Sequence, residues 1–247
     1  MHCTHPSAEY GNPARITPYA EGNYVYSARV APQSVAAGTV FITGKFNENR
    51  RFLYKMQNAT EWKAGGEYTY TVSLVEAKEP DYTLSGDGRT YKVRNANGLL
   101  AWANAAQNDL SLNCTLTDDI DLTGKEWTPV GKNDDNPYTG TFDGGGHAIT
   151  GLTSSQRRSY MGVIGHLGSG GTVQNLTLKS VNLYGFGYTG GVTGLNEGTI
   201  TGCTIFGDIA GNDYIGGVAG YNEGTVIACY HASGSISGNS DVGGVVG

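Results

Sequence analysis

A repeat of about 26 residues in the C-terminal third restricts the fold more than any other feature of this chain. The segment Tyr188-Thr-Gly-Gly-Val-Thr-Gly-Leu-Asn-Glu-Gly-Thr-Ile-Thr-Gly-Cys203 returns as Tyr214-Ile-Gly-Gly-Val-Ala-Gly-Tyr-Asn-Glu-Gly-Thr-Val-Ile-Ala-Cys229, and an unfinished copy, Val242-Gly-Gly-Val-Val-Gly247, follows. An earlier, diverged copy runs from Met161 to Leu176 with a two-residue insertion around Gly168-Ser169. At ~3.3 Å per extended residue, 26 residues trace roughly 85 Å, the perimeter of one coil of three short strands and their corners. Coils of this kind stack ~4.8 Å apart, so equivalent side chains pile into inward columns. The period therefore predicts the columns Val192/Val218/Val245, Ile200/Val226 and Leu176/Cys203/Cys229. Gly190-Gly191, Gly216-Gly217 and Gly243-Gly244 are expected at corners that need positive φ or close backbone approach. Asn196-Glu-Gly and Asn222-Glu-Gly carry turn chemistry.

A coil needs its end covered, and the residues upstream supply a candidate. Residues 97–107 are rich in helix formers, with Leu99, Trp102, Ala103 and Ala106 on one face, so a short capping helix is expected there. Leu116–Leu122, Trp127–Gly131 and Tyr138–Leu152 read as irregular first coils of short strands and turns. In the N-terminal third the pattern changes to strict alternation at Tyr68-Thr-Tyr-Thr-Val-Ser-Leu74, a half-buried antiparallel strand whose expected partners are residues 39–42 and 52–54. The expected class is all-β: a partial β-sandwich over 1–80, a linker over 81–90, and a right-handed β-helix (solenoid) with its capping helix over 91–247. The unfinished last copy leads us to expect a piece of a longer protein, with its export signal outside this sequence.

Glycine supplies 39 of the 247 residues, more than twice the usual ~7%, yet among strand-forming aromatics rather than proline. A formal charge of −6 disfavours a nucleic-acid partner, and no apolar run is long enough for a transmembrane helix. Cys3, Cys114, Cys203 and Cys229 lack C-x-x-C spacing, so no zinc or redox dithiol site is indicated, and no cofactor or metal is expected. Stacking brings Cys203 and Cys229 within disulfide reach, with free buried thiols the favoured reading.

Asp118, Asp119, Asp121 and Asp143 are the carboxylates best suited to a polysaccharide-degrading enzyme, which needs a facing pair. Turn capping is the ordinary explanation for Asp143, and the other three lack a calcium-loop spacing. Asn58-Ala-Thr60, Asn113-Cys-Thr115 and Asn175-Leu-Thr177 match a motif short enough to arise by chance. Tyr184, Phe186, Tyr188, Tyr214, Tyr221 and Tyr230 recur along the repeats as a candidate flat surface for a sugar or protein, against the plainer reading of strand packing. No catalytic or ligand-binding residue is assigned.

Residues 91–247 resemble bacterial surface proteins with GLUG-motif repeats, on the Gly-Gly-Val-x-Gly-x-Asn-x-Gly-Thr-Ile/Val-x-x-Cys pattern at Gly190 and Gly216. The stretches Asp119-Ile-Asp-Leu122, Trp127-Thr-Pro-Val-Gly131 and Gly140-Thr-Phe-Asp-Gly-Gly-Gly-His147 extend the match. Residues 30–39 and 60–74 resemble the closing part of a fimbrillin-like domain of anaerobic Gram-negative bacteria. These resemblances imply an exported, lipid-anchored cell-surface (outer-membrane) or fimbria-associated adhesin, with host or microbial glycans or proteins, and fimbrial subunits, as its partners. They do not imply a fimbrial shaft, because the sandwich runs straight into a solenoid instead of offering a strand for exchange. Some repeat-bearing relatives are metallopeptidases, but His2, His5, His147, His166 and His231 form no His-Glu-x-x-His, so that activity is not carried over.

Overall fold

The structure, a computed structural model, describes residues 3–6, 13–16, 19–22, 25–27, 33–47, 50–65, 75–76, 80–154 and 157–247. The chain divides into two units, Met1–Glu79 and Pro80–Gly247.

In the first unit the described strands pair antiparallel. Cys3–Pro6 pairs with Pro13–Ile16, Tyr19–Gly22 with Val25–Ser27, and Gln33–Val35 with Thr60–Trp62. Arg50–Lys55 lies between Val40–Asn47 and Val75–Glu76, so Ile42 faces Tyr54. Val35, Met56 and Trp62 are buried together, with Tyr54 against them. The alternating strand expected at Tyr68–Leu74 falls outside the described residues.

The second unit is a solenoid of about six turns. The chain visits four parallel stacks in a fixed order, here A to D. In the last complete turns, A holds Thr172–Gln174, Thr199–Thr201 and Thr225–Ile227, and B holds Thr177–Tyr184, Thr204–Ala210 and Tyr230–Ser233. C holds Gly187–Gly190, Asp213–Gly216 and Ser240–Gly243, and D holds Ile164–Leu167, Thr193–Asn196 and Ala219–Asn222. Strand residues alternate between core and solvent, and in-register parallel pairing keeps like residues on one side. In stack A the inward column reads Tyr91, Cys114, Phe142, Val173, Ile200, Val226. In stack B, Ile120, Ile149, Leu178 and Ile205 follow one another in the same way.

The predicted columns are present. Val192 N–H donates to the Val218 carbonyl and Val218 N–H to that of Val245, each at 2.9 Å. Ile200 pairs with Val226, and Leu176, Cys203 and Cys229 are joined by backbone hydrogen bonds through Thr204 and Tyr230. Each fully buried Val, Leu or Ile contributes about 1.5–3 kcal/mol by leaving water, a gain made at Val192, Val218 and Ile200 and reduced at the partly buried Val226 and the exposed Val245 of the last coils. The register between Leu167/Asn196 and Thr172/Thr199 shifts from 29 to 27 residues, which places the two-residue insertion in the turn at 168–170.

The helix spans Ala96–Ala106, and Leu99, Trp102, Ala103 and Ala106 are its buried face along with Ala96 and Gly98. Asn95 caps it, its Oδ1 accepting from Gly98 N–H at 3.1 Å. Trp102 meets the rings of Phe142 and Tyr138 edge-on, with centroids 5.1 and 5.8 Å away, and its Nε1–H donates to the Leu112 carbonyl. The helix thus seals the inward column beside the first turn.

Two expectations are corrected, and a third is narrowed. Residues 81–90 are not a linker: Tyr82–Leu84 pairs antiparallel with Thr90–Val93, and this hairpin edges stack A. The Ser85–Gly88 turn chemistry belongs to the hairpin itself, with Gly88 N–H donating to the Ser85 carbonyl. Trp127–Gly131 is not a strand; it is tied to the next turn by a bridge from Val130 to Ile164 and by Trp127 Nε1–H to the Gly162 carbonyl. Of the two roles expected of the paired glycines, positive φ or close approach, the structure shows close approach. A Cβ on Gly190 would sit 2.6 Å from the Val218 carbonyl oxygen, because stacks C and D pack backbone against backbone. The left-handed corner falls instead on Tyr160, Tyr188, Tyr214 and Asp241, with φ of 63°, 47°, 57° and 50°.

Candidate functional site

That left-handed corner builds the most distinctive surface of the solenoid. It turns each tyrosine ring onto its equivalent in the next coil: Tyr160 lies 5.1 Å from Tyr188, and Tyr188 lies 5.0 Å from Tyr214 at an interplanar angle of 7°. Tyr221, from stack D, sets its ring edge-on to both Tyr188 and Tyr214, at 6.0 and 5.3 Å. His166 occupies the Tyr221 position two turns earlier and stacks on Tyr160.

Acidic residues flank the ridge. Tyr160 OH donates to Asp134 Oδ1 at 2.9 Å, and burial together with that bond pushes its phenol up to about 12. The charge of Glu223 raises the Tyr221 phenol. His166 is 2% exposed; its Nδ1 lies 3.0 Å from the Asn133 carbonyl and its Nε2 3.5 Å from Glu197 Oε2. Beneath, Asn196 Nδ2 donates to Asn222 Oδ1 at 2.6 Å while its own Oδ1 accepts from Gly198 N–H. The Asn-Glu-Gly turns therefore also form a ladder between coils, which presents Glu197 and Glu223 at equivalent positions.

Tyr188 is stacked between Tyr160 and Tyr214, so both of its π faces are occupied, and Tyr160 and Tyr214 each turn one face onto it. The ridge offers ring edges, phenol hydroxyls and carboxylates, a surface for hydrogen bonding more than for ring stacking. Of the six aromatics singled out from sequence, the structure brings together Tyr188, Tyr214 and Tyr221. Tyr184, Phe186 and Tyr230 are exposed on other parts of the coil, so the six do not form one surface. Tyr160 was missed; its signal was the place just before Met161-Gly-Val, matching Tyr188 and Tyr214 in their copies.

The four carboxylates are each held locally. Asp143 Oδ1 accepts from Gly145 N–H and Asn175 Nδ2, and its Oδ2 from Gln174 Nε2 at 2.8 Å; burial opposes its charge, but these bonds hold its pKa below the usual range. Asp119 accepts from Ala148 N–H and Asp121 from Thr123 N–H, and hydrogen bonding lowers both. Asp118 takes the Thr117 hydroxyl. A general acid needs the opposite shift. Among the described residues no group of acidic, histidine or cysteine side chains is arranged to hold a metal ion. Asn113 and Asn175 spend their side-chain amides on Thr141 N–H and Asp143 respectively.

Among the described residues Cys114, Cys203 and Cys229 are free and buried. Cys203 N–H reaches Cys229 Sγ at 3.4 Å. The hydrogen bond between the two thiols, with burial, pushes Cys203 up, and the same bond draws Cys229 down to about 7.

Fold and surface define a β-solenoid with a tyrosine and carboxylate ridge along its axis. Over 105 residues the chain is 35% identical to "Halomucin" of Haloquadratum walsbyi, covering 42% of this chain and 1% of that protein. Over 100 residues it is 34% identical to a protein of Evansella cellulosilytica named as a Gly-rich membrane protein, covering 36% of this chain and 12% of the relative. No family model and no solved structure matches the chain. No described helix is long and apolar enough to cross a membrane.

Proposed function

We propose that this chain is a non-catalytic, exported cell-surface module of the GLUG-repeat type, an adhesin that binds a host or microbial glycan or protein along the outer faces of its solenoid. The observation that carries this reading is the ridge: Tyr160, Tyr188, Tyr214 and Tyr221 with Asp134, Glu197 and Glu223 repeat their hydroxyls and carboxylates along the axis. Repetition at a rung spacing of ~4.8 Å suits an extended ligand lying along the coil, with many weak contacts in series. The surface-type names of the two relatives support an outer location. The antiparallel pairs of the first unit are compatible with part of a fimbrillin-like sandwich, which would present the solenoid at a tip or on a stand-alone surface protein. Local use of Asp119, Asp121 and Asp143 supports a scaffold over a degrading enzyme.

The test is a glycan array and a mucin-binding assay on the purified chain, with Glu197→Gln/Glu223→Gln and Tyr214→Ala beside it. Binding that weakens at least tenfold in both variants is expected, and uniform failure of the native chain on both platforms refutes the reading. Reducing-end or unsaturated-sugar release that disappears in Asp143→Asn would instead establish a polysaccharide-degrading enzyme.

A further inference from the structure

A recess opens beside the capping helix and shares no residue with the tyrosine ridge. One helix face, carrying Leu100, Ala103, Asn104 and Gln107, stands across from the segment 126–132, and the two enclose about 300 Å³. Bonds already made fix both walls. Gln107 Nε2–H donates to the Pro129 carbonyl at 3.0 Å and pins the helix end to the opposite segment, while Trp127 Nε1–H donates to the Gly162 carbonyl at 3.1 Å. The recess is therefore preformed, and its volume lies at the lower end of the range for small-ligand sites.

Its lining divides by chemistry. Leu100, Ala103 and Trp127 are apolar, and Trp127 is only 1% exposed, so it supplies a wall and not an open ring face for a sugar to stack on. Asn104, Thr128 and Lys132 are exposed, and among the described residues their side chains make no hydrogen bond or ion pair. Asn104 and Gln107 are three residues apart, a spacing that sets two carboxamides side by side on a helix. Gln107 spends an amide hydrogen on Pro129 and keeps its Oε1 as an acceptor. Paired carboxamides over an apolar wall match an acetamido group: an amide oxygen takes its N–H, an amide or ammonium donor takes its carbonyl, and the wall takes its methyl. A plain hydroxyl in the same place would be set against that wall short of partners.

We propose that this recess is a subsite for an N-acetylated amino sugar, whose acetamido group is held by Asn104, Gln107 and Lys132 with its methyl against Leu100, Ala103 and Trp127. The inference rests on the proposed glycan-binding role and adds to it a second point of contact, beside the capping helix, with the sugar class set by the acetamido group.

Saturation-transfer NMR and calorimetric titration of the full chain test this with three disaccharides of one linkage: N,N′-diacetylchitobiose, its deacetylated form chitobiose, and cellobiose. The acetylated probe should bind with a dissociation constant on the order of 1 mM, and its acetamide methyl should receive the largest saturation. The other two should bind at least roughly tenfold more weakly, having lost the amide hydrogen bonds and the methyl contact. Asn104→Ala should weaken binding roughly 3- to 10-fold and Lys132→Ala by about threefold. Neither variant should lower the ligand-free melting temperature, because neither side chain has a partner in the fold. Thr128→Trp, which fills the recess from an exposed position, should abolish binding, and Tyr214→Ala on the ridge should leave it intact. Equal binding of the three sugars, binding that Asn104→Ala and Thr128→Trp leave intact, loss in Tyr214→Ala, or no binding of the acetylated probe up to about 20 mM overturns the subsite. Array or mucin binding that Tyr214→Ala weakens would then show the wider reading to stand, whereas silence on both of those platforms as well would remove the two together.

Discussion

Ile200→Ala tests the stacked columns directly. Ile200 is fully buried, and stack A pairs it with Val173 on one side and Val226 on the other. Truncation to alanine removes three carbons, a transfer loss of about 2.4 kcal/mol at ~0.8 kcal/mol each. The coils above and below are fixed by backbone hydrogen bonds and cannot close the gap fully, so a cavity term brings the total to about 3–4 kcal/mol. In a unit of this size that is a melting-temperature drop of about 6–16 °C. Val226, one coil further on and only partly buried, gives the internal comparison: Val226→Ala should cost about 1 kcal/mol or less, because less surface leaves water there. Urea and thermal unfolding followed by circular dichroism, with fluorescence from buried Trp102 and Trp127, measure both. Equal losses at the two positions, or a loss under 1 kcal/mol at Ile200, would refute the column as the source of stability.

Three further outcomes follow from local geometry. Gly202 and Ala228 occupy the same left-handed corner between stacks A and B, with φ of 63° and 49°; Ala228→Gly should therefore stabilise by about 0.5–1 kcal/mol and Gly202→Ala destabilise by about 1–2 kcal/mol, read from urea midpoints. Iodoacetamide at neutral pH should label Cys229 ahead of Cys203 and Cys114, and Cys203→Ala should slow that labelling several-fold by removing the donor that lowers the Cys229 thiol. The folded pKa of Asp143 lies below its unfolded value, so its contribution is complete above the unfolded pKa and is lost as pH falls through the folded one. Asp143→Ala should accordingly lower the melting temperature at pH 7, with the gap from the native chain closing below about pH 3.

The parts of the structure legible in the sequence are those that a period or a face encodes. Val192, Val218 and Val245 announced their column because identical environments one coil apart select like residues, and Leu99, Trp102, Ala103 and Ala106 announced the helix face through their spacing. What escaped depends on contacts between segments with no shared pattern. The hairpin at Tyr82–Val93 looked like a linker because a tight turn and a linker use the same Ser, Gly and Asp residues. The six aromatics offered a candidate surface beside the plainer reading of strand packing, and the sequence does not show which of them meet, because the B–C corner separates Tyr184 and Phe186 from the ridge at Tyr188 and composition carries no record of a corner. That Arg158 Nε and Nη2 are buried without a hydrogen-bond partner among the described residues is not legible in the sequence, because burial of a guanidinium is set by the coil it lies against and not by its neighbours in the chain.

The left-handed corner itself bears on why tyrosine stands on the ridge. A non-glycine residue at positive φ costs about 1–2 kcal/mol, and one stacked ring pair returns about 0.5–1.5 kcal/mol, so stacking roughly offsets the strain and leaves little net gain. The corner does not require the ring: Asp241 adopts the same conformation at φ 50° in the last coil. Asparagine, aspartate or glycine would form this turn at equal or lower cost. Stability therefore gives only a weak reason for three consecutive tyrosines, whereas a row of phenol edges beside Asp134, Glu197 and Glu223 gives an outward one. Tyr188→Asn separates the two reasons. If the ridge serves binding, this variant should keep the native melting temperature within about 1 kcal/mol of stability and still lose glycan or mucin binding; a large loss of stability with binding intact would show that the tyrosines are there to pack.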